Sequence, residues 1–408
     1  MLPYHCSTRS APSNSTYTLP SHRGCAIVRV AVVHNLQPGG AHRCLASQIV
    51  HLSGEIIEVC LESATPVSAS AIVVPLRRAA PRLPRLLRPP LRYLDLAAIE
   101  RAWRRAAEEV RASRADAVFL NPCRFLQAPP VLLEGVPPAL YFCQEPRRVD
   151  SEPEAQASRS RLTRPFYARL YARERLLDRT TTSRACLLAT NSRYTASEIK
   201  RVYGREAAVV TMGVAESLLS SEPSVSREAF LLSVGTLVEG KGHDLVLRAA
   251  AGATSDPPVV IVAPRSAPEE QARLQALAEG LGVQLNVCIA IGDAELATLY
   301  ASARATVYLA RREPFGLVSL EAQAFGCPVI VADEGGLPET IVDGVTGWKT
   351  SRDPAAVASL VDRLDNQSLH QKMSAAAREH GRRWRWQASA AQVDNLLAEV
   401  SARRRTSS

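Results

Sequence analysis

The sequence predicts an α/β protein of two doubly wound, Rossmann-like domains facing each other across a cleft. Three observations lead there. The chain has 408 residues, more than one hydrophobic core usually organises. Short β-rich runs, apolar on both faces, alternate with helical patterns along nearly the whole length, as helix-covered parallel sheets require. A Ser-rich stretch with Pro223 in its middle divides this alternation into two halves.

The first domain is expected over 27–214. Apolar runs at 27–34, 117–120, 139–143, 187–190 and 208–212 read as strands, and helical spacing marks 41–52, 94–111, 162–180 and 194–203. A linker over 215–228 leads into a second domain at 229–380. Strands fit there at 230–234, 259–263, 283–289, 306–309 and 329–332, with helices at 243–251, 269–280, 294–301 and 317–325. Residues 381–408 read as a C-terminal helix packing back on the first domain. Residues 1–26, rich in Ser, Thr, Pro and His and without the apolar segment of a secretory signal, read as a disordered tail or an extension ahead of the true start.

Composition excludes several classes. Hydrophobic content of 46% with 22% charged residues is that of a soluble globular chain. No apolar run is long enough for a membrane-spanning helix. Nine cysteines without a CxxC pair read as free thiols in a reducing compartment, not as a disulfide framework or zinc site. The net charge of +9 is uneven: residues 1–214 carry 30 Lys and Arg against 17 Asp and Glu. A basic first half suits an acidic partner such as a phosphorylated lipid acceptor or an anionic membrane surface, or reflects composition alone. Nucleic acid is disfavoured, because no reader motif appears and the basic segments lack interleaved aromatics.

The sharpest chemical signal is REPFGLVSLEA, Arg312–Ala322, after the strand ending near Leu309. Pro314 and Gly316 suit a loop entering a helix, which puts Glu313 at the cleft and Glu321 two turns down the helix. Glu321 lies among Leu317, Val318, Leu320 and Phe325, so its carboxylate must find donors, and sugar hydroxyls would serve. The second signal, GTLVEGKGHD over Gly235–Asp244, lifts Lys241 to the cleft, where one ammonium can neutralise a phosphate. Pro38–Gly40 joins the first strand to a helix, either as a phosphate-binding loop or as a tight connection. The glycines of DEGG, Asp333–Gly336, either contact ligand or only turn the chain.

Together these segments resemble glycosyltransferase family 4, the large retaining family with the GT-B fold. The resemblance runs from about Val30 to Asp365. EPFGLVSLE is similar to that family's E-x7-E motif, accompanied by VGTLVEGKGHD, EGGLPETIVDGVTG and NSRYTASEIKRVYG. It implies that Lys241 binds the donor diphosphate and Glu313 hydrogen-bonds the transferred sugar, these two being the catalytic candidates. Phe315, Gly316 and Leu317 would offer backbone N–H groups, Glu321 would hold the ribose hydroxyls, and Gly40 would close the phosphate site from the first domain. The chain departs from the pattern at Thr236, kept as a donor-binding candidate, where the family often has an Arg, leaving Arg311 or Arg312 as candidate replacements for that charge. It also departs at Asn121 and Gln144, near which many members carry His; both remain acceptor or sugar candidates.

No Asp-x-Asp pair or metal-ligand spacing occurs, so no metal or other cofactor is expected beyond the nucleotide sugar itself. The implied activity is retaining transfer of a hexosyl unit from a nucleoside-diphosphate sugar to a glycan or lipid-linked acceptor in envelope biosynthesis. Front-face transfer, with the departing phosphate helping to deprotonate the acceptor, needs no protein nucleophile. The expected location is cytoplasmic. Arg77, Arg78, Arg82, Arg85, Arg88 and Arg92 form a basic segment that could dock on anionic membrane. A degenerate, non-catalytic GT-B subunit and a sugar-nucleotide epimerase are the competing readings.

Overall fold

The computed structural model describes residues 29–78, 88–148, 164–220 and 226–406. The amino-terminal tail, Arg82, Arg85 and the middle of the Ser-rich linker lie outside the described residues, as do the side chains of Arg88 and Arg92.

The first sheet holds β1 (Arg29–Asn35), β2 (Glu55–Leu61), β3 (Ile72–Val74), β4 (Ala117–Cys123), β5 (Ala139–Phe142), β6 (Leu187–Thr190) and β7 (Ala208–Val209). Its helices are α1 (Gly40–Ile49), α2 (Arg88–Ala112), α3 (Arg164–Arg184) and α4 (Arg193–Tyr203). The one-turn helix α5 (Glu216–Leu219) lies between the domains. The second sheet holds β8 (Leu231–Val234), β9 (Val259–Ala263), β10 (Leu285–Ile289), β11 (Ala305–Tyr308), β12 (Val329–Ala332) and β13 (Gly347–Thr350). Around it stand α6 (His243–Gly252), α7 (Pro268–Leu281), α8 (Asp293–Ser302) and α9 (Leu317–Ala324). The chain ends in α10 (Pro354–Arg363), α11 (Gln367–Arg382) and α12 (Trp386–Thr406).

The strand orders are 3-2-1-4-5-6-7 and 10-9-8-11-12-13, and every strand pair is parallel. Each order reverses once, at β1/β4 and at β8/β11. Ligands of doubly wound sheets sit outside the strand carboxyl ends at such reversals. The loops carrying Lys241 and Glu313 follow β8 and β11, the two strands that flank the second reversal.

β2 breaks the expected apolar pattern with Glu58, which is buried. His34 at the end of β1 meets it at 2.8 Å, and the Val67 and Ser68 N–H groups donate to the same carboxylate at 2.8 and 2.6 Å. Burial pushes the Glu58 carboxyl up, but the hydrogen bonds from His34 and the two N–H groups outweigh it and leave it lowered. A charge that satisfied can sit inside a strand, which sequence patterning does not anticipate. Of the edge strands, β3 is apolar but only three residues long and β13 is mixed in character, so neither stands out as an apolar run.

One buried apolar cluster runs through both domains, and a second fills the outer face of the first sheet beneath α2. α12 returns to the first domain, packing on α1, β4 and β5. Its Ser389 accepts from Gln48, and its Asp394 accepts from both the N–H and the hydroxyl of Ser53. The chain segments cross tightly there: a Cβ on Gly213 would lie 2.4 Å from the Trp386 nitrogen. All cysteines among the described residues are free thiols. No described helix is long and apolar enough to cross a membrane.

Candidate functional site

Lys241 closes the short 3₁₀ turn Glu239–Lys241 after β8, and Glu313 lies in the loop between β11 and α9. Their side chains meet: Lys241 Nζ donates to Glu313 Oε2 at 2.6 Å and to the Tyr308 hydroxyl at 3.3 Å. Tyr308 is buried, and desolvation, reinforced by the neighbouring Glu313 charge, holds its phenol well above the ordinary range. It stays a neutral partner. Two residues 72 apart in sequence thus form one charged unit at the cleft, with about a fifth of each side chain open to solvent.

The backbone beneath this pair is tightly specified. Gly242 has φ of 74°, and a Cβ there would meet the Leu309 carbonyl at 2.7 Å. The DEGG glycines serve the same loop: a Cβ on Gly335 or Gly336 would fall 2.5 Å from Glu313 O or 2.3 Å from Pro314 O. The Gly336 N–H donates to Glu313 O at 2.8 Å. Their job here is to let one loop pass directly behind another. Gly316, with φ of 113°, caps α9 and brings the Phe315–Leu317 backbone to the cleft; Phe315 itself is buried against Trp384.

Glu321 lies one α-helical stretch further on and is almost buried. The Tyr300 hydroxyl donates to its Oε2 at 3.0 Å, and Arg43 Nη2 approaches Oε1 at 3.3 Å. Both partners escaped sequence reading, Tyr300 because it looks like ordinary helix core and Arg43 because it comes from the other domain. Arg43 stands in the first turn of α1, just after Gly40, where a Cβ would meet nothing within 4 Å. That position opens to the cleft.

The domains touch at further points around the same cleft. Arg265, beyond β9, donates to the Pro38 carbonyl at 3.0 Å. Ser192 and Thr195 donate to the Pro314 carbonyl at 2.6 and 3.1 Å. Glu339 caps α4 from the opposite domain, accepting from the Arg193 and Tyr194 N–H groups at 2.9 and 2.8 Å. An acidic group at a helix N-terminus satisfies orphan donors and the local positive potential together. The NSRYTASEIKRVYG segment is therefore the joint that holds the Glu313–Pro314 loop against the first domain.

Thr236, Asn121 and Gln144 take different places around the cleft, and only Asn121 departs from its expected loop position. Thr236 is exposed, and its carbonyl is used by His243 Nε2 at 3.2 Å. Asn121 does not lie in a post-strand loop, because β4 continues through Pro122 to Cys123 beside an irregularity opposite Val33–Asn35. Its amide is fully buried inside the sheet without a partner among the described residues. Gln144 is nearly buried and donates to the Ala41 carbonyl at 3.2 Å, bracing the first turn of α1. Arg311 and Arg312 are exposed at the loop rim.

Comparison with known proteins bears on the family and the fold. Residues 216–383 match the family described as Glycosyl transferases group 1. Over 243 residues the chain is 32% identical to the D-inositol 3-phosphate glycosyltransferase of Acidothermus cellulolyticus, covering 54% of each chain. The Streptomyces avermitilis protein of the same name is 39% identical over 137 residues, 32% of this chain and 30% of that one. The chain thus spans about half, or less, of the length of the curated relatives it matches. Among solved structures, sucrose-phosphate synthase from Thermosynechococcus elongatus superposes with a TM-score of 0.69 at 18% identity, covering 92% of this chain and 99% of that one. Anabaena HepE, solved with UDP and glucose, gives 0.66 at 16% identity over 91% and 100%. These two likenesses speak for the GT-B fold.

Proposed function

We propose that the chain, whose residues 216–383 match the glycosyl transferases group 1 family, is a retaining glycosyltransferase acting on a nucleoside-diphosphate sugar. The observation that carries this reading is the Lys241–Glu313 pair beside Glu321, set at the strand reversal of the second sheet. Lys241 neutralises charge on the departing diphosphate, aided by the N–H groups of α9 behind Gly316. Glu313 orients the transferred hexosyl unit, and Glu321 accepts from the ribose hydroxyls. Transfer proceeds on the front face, the leaving phosphate taking the acceptor proton. The chemistry is read as metal-independent because the lysine and the helix dipole supply the positive charge. The potential metal-ligand group among the described residues, His34, Glu58 and Cys60, is buried in the first sheet and internally hydrogen-bonded.

The acceptor in this reading is a glycan or lipid-linked molecule of the cell envelope that carries an anionic group. Arg78 and Arg124 both lie over the Phe125 ring, at 4.4 and 5.3 Å from its centroid. Arg265 is close enough to join Arg78 in lowering the Arg124 pKa, behind burial as the largest cause. Among the described residues only Arg78 of these three has a carboxylate partner, Asp95 at 3.2 Å. A phosphate on the acceptor would relieve that concentration of charge. The basic first domain also suits peripheral docking on the inner face of an anionic membrane from the cytoplasm.

Thermal stability with UDP, GDP, ADP and dTDP, each with and without a chelator, tests the donor site. A ligand at a hundred times its dissociation constant stabilises by about 2.7 kcal/mol. A chelator-resistant shift with one nucleotide is expected. No shift with any of them would transfer weight to a non-catalytic GT-B subunit.

A further inference from the structure

The cation beside Glu321, Arg43, is contributed by the opposite domain. Its guanidinium reaches Glu321 Oε1 at 3.3 Å with 44% of the side chain exposed, whereas the Glu321 side chain is 6% exposed. The carboxylate is therefore fixed in the second domain and the guanidinium lies over it from the cleft. The contact is an ion pair at the edge of hydrogen-bond range, and the half-exposed guanidinium has N–H groups to spare for a second anion.

Building on the donor reading above, we infer that Arg43 is a donor-binding residue: the second cation of the diphosphate site, delivered by the first domain. Three observations converge. The Lys241 loop carries the uncharged, exposed Thr236 where a second charge could stand, leaving that loop one cation for two phosphates. Arg43 rises from the first turn of α1 beside Gly40, whose open face leaves room for a group approaching the helix start. Finally, a donor whose ribose reaches Glu321 carries its first phosphate a single methylene away from that ribose. One arginine side chain spans that distance by rotating from carboxylate to phosphate. Arginine suits the exchange, since its planar fork binds either anion and keeps its charge throughout.

The charged and titratable groups around Arg43 agree with this role. Its pKa is raised, Glu321 being the largest influence, followed by the opposing desolvation and by support from Tyr300 and Asp293. Tyr300 is held protonated by burial, so it keeps donating to Glu321 when Arg43 leaves. The ion pair also links the domains, so exchanging carboxylate for phosphate would couple donor arrival to their closure.

The test compares the wild-type chain with Arg43→Ala, Arg43→Gln and Arg43→Lys. Affinity is measured for whichever of UDP, GDP, ADP or dTDP binds the wild type, and for its nucleoside lacking phosphates. Loss of a charged hydrogen bond predicts diphosphate binding weaker by about ten- to hundredfold in Arg43→Ala and Arg43→Gln. The nucleoside should bind as well as before or better, because Glu321 is released, and Arg43→Lys should recover part of the loss. Diphosphate binding that is unchanged or tighter would overturn the inference, leaving Arg43 as a restraint on Glu321. Equal weakening of nucleoside and diphosphate would also overturn it, reducing Arg43 to a prop for the ribose carboxylate. A wild-type chain that binds no nucleoside diphosphate would instead remove the donor reading itself, and the inference with it.

Discussion

Replacing Lys241 with alanine removes the ammonium that meets Glu313 at 2.6 Å and leaves the rest of the loop in place. The two side chains keep 21% and 18% of their surface in solvent, so the pair is largely covered and its loss should cost folding about 1–3 kcal/mol, short of the stability of a typical domain. The variant should therefore fold. The loss falls on donor binding, where a hydrogen bond between charged groups is worth about 1.5–3 kcal/mol, roughly ten- to 150-fold in affinity. With nucleotide at a hundred times the wild-type dissociation constant, stabilisation should fall from about 2.7 kcal/mol to about 0.9 kcal/mol for a thirtyfold weakening. Thermal melting at fixed nucleotide concentration reads that difference, and glycosyl transfer should fall by at least as much. Glu313→Gln, alone and combined with Lys241→Ala, completes a cycle; groups in contact should show a non-additive term of about 0.5–3 kcal/mol. A variant that melts and binds nucleotide like the wild type would refute the assignment of Lys241 to the diphosphate.

Three other expectations follow from the packing. Glu339→Gln removes the charge that caps α4 across the domain junction, which should cost about 1–2 kcal/mol and loosen the coupling of the two domains in calorimetry; an unchanged single transition would count against the joint. Gly336→Ala puts a Cβ 2.3 Å from the Pro314 carbonyl, so it should destabilise by roughly 1–3 kcal/mol and weaken donor binding by displacing Glu313. Burial brings the His243 imidazole down to about 4, below its unfolded value, so the folded chain holds it neutral. The unfolded chain then binds more protons between about pH 6.5 and 4, and up to about 3 kcal/mol of stability should be lost as the pH falls through that window. In His243→Gln that part of the acid slope should be absent from urea titrations across pH.

The division between what sequence determined and what only folding decided follows range. Local patterning was enough for two parallel α/β sheets, because strands buried on both faces must be continuously apolar and crossover helices must carry a 3.6-residue period. The same locality made the Lys241 and Glu313 loops legible: Gly and Pro at strand ends mark where the backbone turns toward a cleft. β2 escaped because its buried Glu58 is satisfied by His34, 24 residues earlier, and by loop N–H groups that no window of sequence connects. Asn121 follows directly on an apolar run that stops at Leu120, which reads as a strand end, whereas the strand runs on to Cys123 and buries it. The partners of Glu321 were beyond reach for the same reason. A carboxylate in an apolar helix announces that it needs partners; that one of them is the Arg43 cation, from the far side of the cleft, is decided only when two domains close on each other.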